Sequence, residues 1–192
     1  MSKVLEHAYQ DLRNEKINVL ADGTLEVLNA VIFWPNFSGK PGKFDPKGSA
    51  VGKRTFNLAI LPEAVADFKA QGWNIKEKDI PEITDDEGNP VKLSFVNIKC
   101  NIDGPVPPTV TLFVDYKGKK TRRPLVGDQI GELDSVDFES ADCIINPYAN
   151  RNYEGRVTGY LRKLNVVMEK QEEFGGKYDD WGDDDVLPFD NN

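Results

Sequence analysis

Between Trp34 and Arg54 three large rings, Trp34, Phe37 and Phe44, are interleaved with five cations, Lys40, Lys43, Lys47, Lys53 and Arg54. Gly39, Pro41, Gly42, Pro46 and Gly48 keep the stretch out of regular structure. Large apolar rings on an open loop are costly unless something covers them. Unpaired nucleobases can, because each base stacks on a ring for roughly 1–3 kcal/mol while the cations meet phosphates. A competing reading places Trp34 and Phe37 in the core at a strand end and leaves the lysines to solvate a loop. A second cluster, Tyr116, Lys117, Lys119, Lys120, Arg122 and Arg123, packs five cations around one turn without an acid among them. Like charges repel, so such a turn is either solvated or the rim of an anion site. A third, Tyr148, Arg151, Tyr153, Arg156 and Tyr160, combines two side-chain types that stack on bases, although a polar outer face with one tyrosine is also what any surface strand shows.

Catalytic chemistry is poorly served. The single histidine, His7, stands apart from any Ser or Cys context for a triad, and Gly39–Lys43 lacks the spacing of a phosphate loop. Cys100 and Cys143 form no CxxC pair, and one histidine cannot complete a tetrahedral zinc site. The acid pairs, such as Asp85–Asp86, sit in a turn that would not hold octahedral geometry. The expectation is a protein that is not an enzyme and that carries no metal or cofactor.

The elements that must position these clusters read as β. Leu25–Trp34 has the composition of one strong strand, and Arg54–Leu61 alternates Phe56, Leu58 and Ile60 with period two. Pro62 opens a short helix that Gly72 closes. Trp73–Lys76 reads as a short strand, and Ile80–Pro90 as an acidic loop or hairpin tip. Val91–Cys100, Thr109–Tyr116, Thr121–Leu125, Asp137–Ile145 and Gly155–Met168 follow as strands. Residues 1–20 show helical spacing at Leu5, Ala8 and Leu12. The fold class is mainly all-β: an OB-like barrel of five to six strands with one short helix and elaborated loops, although a sandwich of the same strands would read alike. The expected division is an N-terminal extension over 1–20, a binding domain over 21–170 and a tail over 171–192.

The tail holds most of the charge. Residues 171–192 carry eight acids against Lys177, a net of −7, whereas the whole chain is −8. The remaining 170 residues therefore balance 24 acids against 23 bases, which leaves the body free to take an anionic ligand. An acidic, Gly-punctuated run is expected to be disordered. Yet Trp181, Asp183, Asp184, Asp185, Leu187, Pro188 and Phe189 join acids to a compact apolar tip, suited to a basic-rimmed apolar pocket on a partner. No run reaches the roughly 18–20 apolar residues of a membrane span, and the polar, mixed-charge start reads as no signal peptide. The expected location is cytoplasmic.

The tip Trp181-Gly182-Asp183-Asp184-Asp185-Val186-Leu187-Pro188-Phe189 resembles the C-terminal tip of single-stranded DNA-binding proteins of bacteria and their phages. In that family an acidic linker ends in an Asp-Asp-Ile-Pro-Phe-like motif after an OB barrel. The resemblance implies non-sequence-specific binding and protection of single-stranded DNA in replication, recombination and repair. It also implies recruitment of replication or recombination proteins, with Leu187, Pro188 and Phe189 filling a pocket and Asp183–Asp185 meeting its rim. One departure stands out: Asp190-Asn191-Asn192 follow Phe189, so the ring lacks the terminal carboxylate the family commonly presents. Self-association into a homo-oligomer is compatible with this reading. The alternatives are a DNA-mimicking adaptor acting on a DNA-processing enzyme, and a strand-annealing protein.

Overall fold

In a computed structural model of the chain, residues 2–41, 52–116, 119–149 and 155–168 are described. In chain order they form helix α1 (Ser2–Asp11), strands β1 (Lys16–Val19), β2 (Leu25–Leu28), β3 (Ile32–Asn36) and β4 (Thr55–Ile60), helix α2 (Val65–Ala70), then β5 (Lys76–Thr84), β6 (Pro90–Lys99), β7 (Thr109–Tyr116), β8 (Lys119–Leu125), β9 (Phe138–Ala149) and β10 (Val157–Met168). A 3₁₀ helix, Gly127–Ser135, joins β8 to β9.

The pairings close on themselves. β3 runs antiparallel to β4 and β4 to β6; β6 lies parallel to β10 at Gly159–Tyr160; β10 is antiparallel to β9, and β9 to β2. Since the chain passes from β2 into β3, five strand positions form a closed circuit, the topology of an OB-type barrel. β1, β5 and the β7–β8 hairpin extend it: β1 pairs with β2, β5 with the first half of β6, and β7 with the second half of β10.

Alternation assigns the faces. Phe56, Leu58 and Ile60 of β4, Val96 and Ile98 of β6, Cys143 and Ile145 of β9, and Leu161 of β10 point into the barrel core. Leu93 and Phe95 of β6 and Ala59 of β4 point outward, where α1 covers them with Leu5 and Ala8, followed by Leu12 just past its end. The residues expected to form an N-terminal extension are thus packed against the barrel, α1 as the lid of a second apolar cluster and β1 as a strand.

Three element readings change. The strand over Leu25–Trp34 is broken at Asn29, whose φ of +50° ends β2 so that the chain can leave β9 and join β4. Trp73 makes a single bridge to Val157 and buries its ring against Phe68, and β5 starts only at Lys76. The acidic stretch over Ile80–Pro90 is mostly strand: Ile80 is buried beneath α1, and the turn shrinks to Asp85–Asn89, where the Asp85 carboxylate accepts from the Glu87 and Asn89 amides.

The parallel β6–β10 contact depends on Gly159. A Cβ there would lie 2.6 Å from Ile98 Cδ1, 2.9 Å from Trp73 and 3.1 Å from Ile145. Gly159→Ala is expected to cost about 1–3 kcal/mol by overpacking, read as a lower urea midpoint at unchanged slope. An unaltered midpoint would mean that the barrel yields there at no cost.

Candidate nucleic-acid interface

The outward faces of β4, β6, β10 and β9 that α1 leaves open carry a continuous set of polar, cationic and aromatic side chains. Register places Thr55 beside Lys99, Lys99 beside Tyr160 and Tyr160 beside Asn146, one row across four strands. In a neighbouring row Asn57 pairs with Asn97, whose amide nitrogen donates to the Asn57 side-chain oxygen at 3.2 Å. Thr158 sits opposite Tyr148 on the β10–β9 ladder. The Lys99 ammonium stands 5.5 Å from the Tyr160 ring centroid, and the Tyr148 and Tyr160 rings meet edge-to-face at 6.2 Å and 90°. Tyr148 is 52% exposed. These two rings, with Asn101, Pro105, Val106, Asn146 and Arg162, line a cleft of about 680 Å³, within the size range of small-ligand sites. Asp22, at its rim, holds its carboxyl below the usual range through hydrogen bonds from Thr24, with a smaller contribution from the Arg162 charge.

Trp34 lies at the other end of this face, on β3. It is 36% exposed and packs edge-on against Phe33 at 5.1 Å and Phe95 at 6.4 Å. Its backbone sits at φ +47°, a rare conformation for a bulky residue and one its neighbour Pro35 disfavours further.

The sequence-derived site residues divide. Trp34, Tyr148 and Tyr160 line the open face. Lys40 and Lys53 are exposed at the stem of their loop, and the Asn36 amide donates to both their carbonyls. Arg122 and Arg123 are exposed on β8, with Arg123 paired to Glu132. Arg156 is exposed just before β10. Tyr116, Lys119 and Lys120 belong to the β7–β8 strands, and that hairpin borders the other half of β10 from Tyr160.

Two expectations are corrected. Phe37 does not offer its ring to a base: it is 0% exposed and packs on Phe56 inside the barrel. Arg54 is committed to the fold. Its guanidinium donates to the Phe37 carbonyl and pairs with Asp128, and its side chain is only 13% exposed. Lys43, Phe44, Lys47, Lys117, Arg151 and Tyr153, and the tail residues Trp181, Asp183, Asp184, Asp185, Leu187, Pro188 and Phe189, lie outside the described residues. The sequence reading missed Lys99, Asn97, Asn57 and Asn146. Period-two alternation in Val91–Cys100 would have put Asn97 and Lys99 on one face, but their neighbours come from register, which one strand does not encode.

Among the described residues no group of His, Cys, Asp and Glu could hold a metal ion. No helix there is long and apolar enough to cross a membrane. Both cysteines are buried, and burial pushes the Cys100 thiol up to about 11 and Cys143 higher still.

Comparison with solved structures finds the single-stranded DNA-binding protein from bacteriophage Enc34 in complex with ssDNA, at 14% identity and a TM-score of 0.45, covering 81% of this chain and 92% of that one. A C-terminal truncation of the same phage protein matches at 14% identity and a TM-score of 0.43, covering 80% and 90%. No curated protein matches the chain. The family model described as "Putative phage ssDNA-binding domain" matches residues 15–190, which include every strand of the barrel circuit. The chain belongs to the phage single-stranded DNA-binding domain family.

Proposed function

We propose that this chain coats single-stranded DNA during phage replication or recombination, holding the strand across the open outer face from Trp34 to Tyr148. The observation that carries the reading is the row Thr55–Lys99–Tyr160–Asn146 with Tyr148 beside it. Two rings, a cation, an amide and a hydroxyl share one surface there, close to Arg162. Rings supply sequence-tolerant stacking and the cations meet phosphates. From β3 to β9 the face spans four strand spacings, about 19 Å, which suits the short end of the 4–16 nucleotides an OB barrel covers. The lysines and arginines of the β7–β8 hairpin are a second phosphate contact in this reading. Tryptophan-fluorescence titration with oligo-dT and with duplex, each at two salt concentrations, tests it. Quenching by the single strand that weakens with salt is the expected result, and equal response to duplex would overturn it.

The acidic tail modulates this face in the same reading. Twenty-two residues reach on the order of 70–80 Å when extended, and a flexible coil of that length averages roughly 25 Å. A segment of net charge −7 tethered at the end of β10 is therefore a local competitor for the cations. Deleting residues 171–192 is expected to tighten oligo-dT binding several-fold at about 50 mM salt and little at high salt. Identical isotherms for full-length and truncated protein at low salt would remove the tail from DNA binding. The apolar tip, Leu187, Pro188 and Phe189, is the part proposed to recruit a replication or recombination protein.

A further inference from the structure

We propose that Asp134, on the 3₁₀ helix Gly127–Ser135, is a positioning residue that holds Trp34 outward on the binding face. The proposal rests on the reading of that face as the DNA site. Ile32 packs toward the barrel core and Phe33 into the outer cluster under α1, so regular alternation would turn Trp34 inward. Instead its ring lies against Phe33 and Phe95, both of the outer cluster. The departure is a register shift between Phe33 and Asn36 together with the left-handed backbone of Trp34. Such a backbone persists only where its surroundings over-determine it.

The surroundings are specific. Phe33 is buried outside the barrel and Phe37 inside it, although regular alternation would keep residues four apart on one face. The Asp134 carboxylate then takes both amides past the bulge, Phe37 N–H at 2.6 Å and Ser38 N–H at 2.9 Å. Gly131 lets the 3₁₀ helix come close enough, since a Cβ there would stand 3.0 Å from Ser38 Cα. Arg54 fastens the same point from the other side, donating to the Phe37 carbonyl while paired with Asp128. Asp134 thus acts on DNA through Trp34.

The sign of the effect separates positioning from charge. Asp134 is an acid near a surface that binds a polyanion, so its removal should tighten binding if charge alone matters. Positioning predicts the reverse and a graded series. Asp134→Asn keeps one acceptor for two amides and should bind oligo-dT a few-fold more weakly; Asp134→Ala keeps none and should lose about tenfold, the scale of one stacking contact. Gly131→Ala, which changes no charge, should fall on the same side. Glu139→Gln, an exposed acid on β9, measures the pure charge effect and should be equal to or tighter than the parent. Trp34 emission in the free protein, taken as the difference between each variant and the same variant carrying Trp34→Phe, should shift in the Asp134 variants, with melting temperature as the check on folding. Equal or tighter binding by both Asp134 variants with unshifted emission overturns the proposal. Failure of the parent protein to bind oligo-dT, or indifference of its binding to Trp34→Ala, overturns instead the reading of the face on which it rests.

Discussion

Replacing Trp34 and Tyr160 together by alanine is expected to weaken oligo-dT binding at least thirty-fold while leaving weak duplex binding unchanged. Each ring offers one stacking platform worth about 1–3 kcal/mol, so the pair is worth about 2–6 kcal/mol. Trp34 sits at the β3 end of the open face and Tyr160 near its centre, between Lys99 and Asn146. Neither ring is needed to fill the barrel core, so the variant should stay folded, with the melting temperature as control. Stacking releases no counterions, so the logarithmic salt dependence should survive the double change. Lys99→Ala should instead flatten it by about 0.7 if that ammonium meets one phosphate. Anisotropy of a labelled oligonucleotide reads all of these without relying on tryptophan. A loss below about threefold in the double variant would place the strand elsewhere on the barrel.

The second large effect concerns stability and Glu15. This carboxyl is 4% exposed; one oxygen accepts from the Val31 amide at 2.9 Å and the other has no hydrogen-bond partner. Burial outweighs that hydrogen bond and pushes its pKa up from 4.5 to about 8. At pH 7 the folded protein therefore carries Glu15 protonated, whereas the unfolded chain has it ionised. Between about 4.5 and 8 the native state binds the additional proton, so stability is fully present below this window and declines as pH rises through it. The slope is on the order of 1.4 kcal/mol per pH unit. Glu15→Gln keeps an acceptor for Val31 and removes the titration. The two proteins should melt within a degree or two of each other at pH 5, and the variant should melt at least about 5 °C higher at pH 9. A difference between them that does not change with pH would show that the buried carboxyl pays no such cost.

The barrel was legible where one strand carries its own pattern. Phe56, Leu58 and Ile60 alternate, as do Val96 and Ile98, and Pro62 with Gly72 bracket the short helix at Val65–Ala70. Features that depend on a distant partner were not legible. Lys99 joins the proposed site only because β6 meets β10, whose Tyr160 lies far along the chain. Phe37 looked exposed because Gly and Pro surround it, but the 3₁₀ helix carrying Asp134 pins its backbone and turns its ring inward. Arg54 looked like a free cation for the same reason, since Asp128, its partner, stands on that distant helix. Family membership agrees with the single-stranded DNA binding expected from the sequence.

The parallel meeting of β6 and β10 also carries a consequence for how the protein matures. Two halves of the proposed site, Lys99 and Tyr160, are brought together by the last strand of the barrel, through contacts of long sequence separation that form slowly. A nascent or partly folded chain thus lacks the joined Lys99–Tyr160 surface, which only the closed barrel presents. A strand that binds across this seam stabilises the closed form by mass action. Single-stranded DNA would then serve as a fastener for the fold that captures it, lifting the melting temperature in proportion to the logarithm of its concentration.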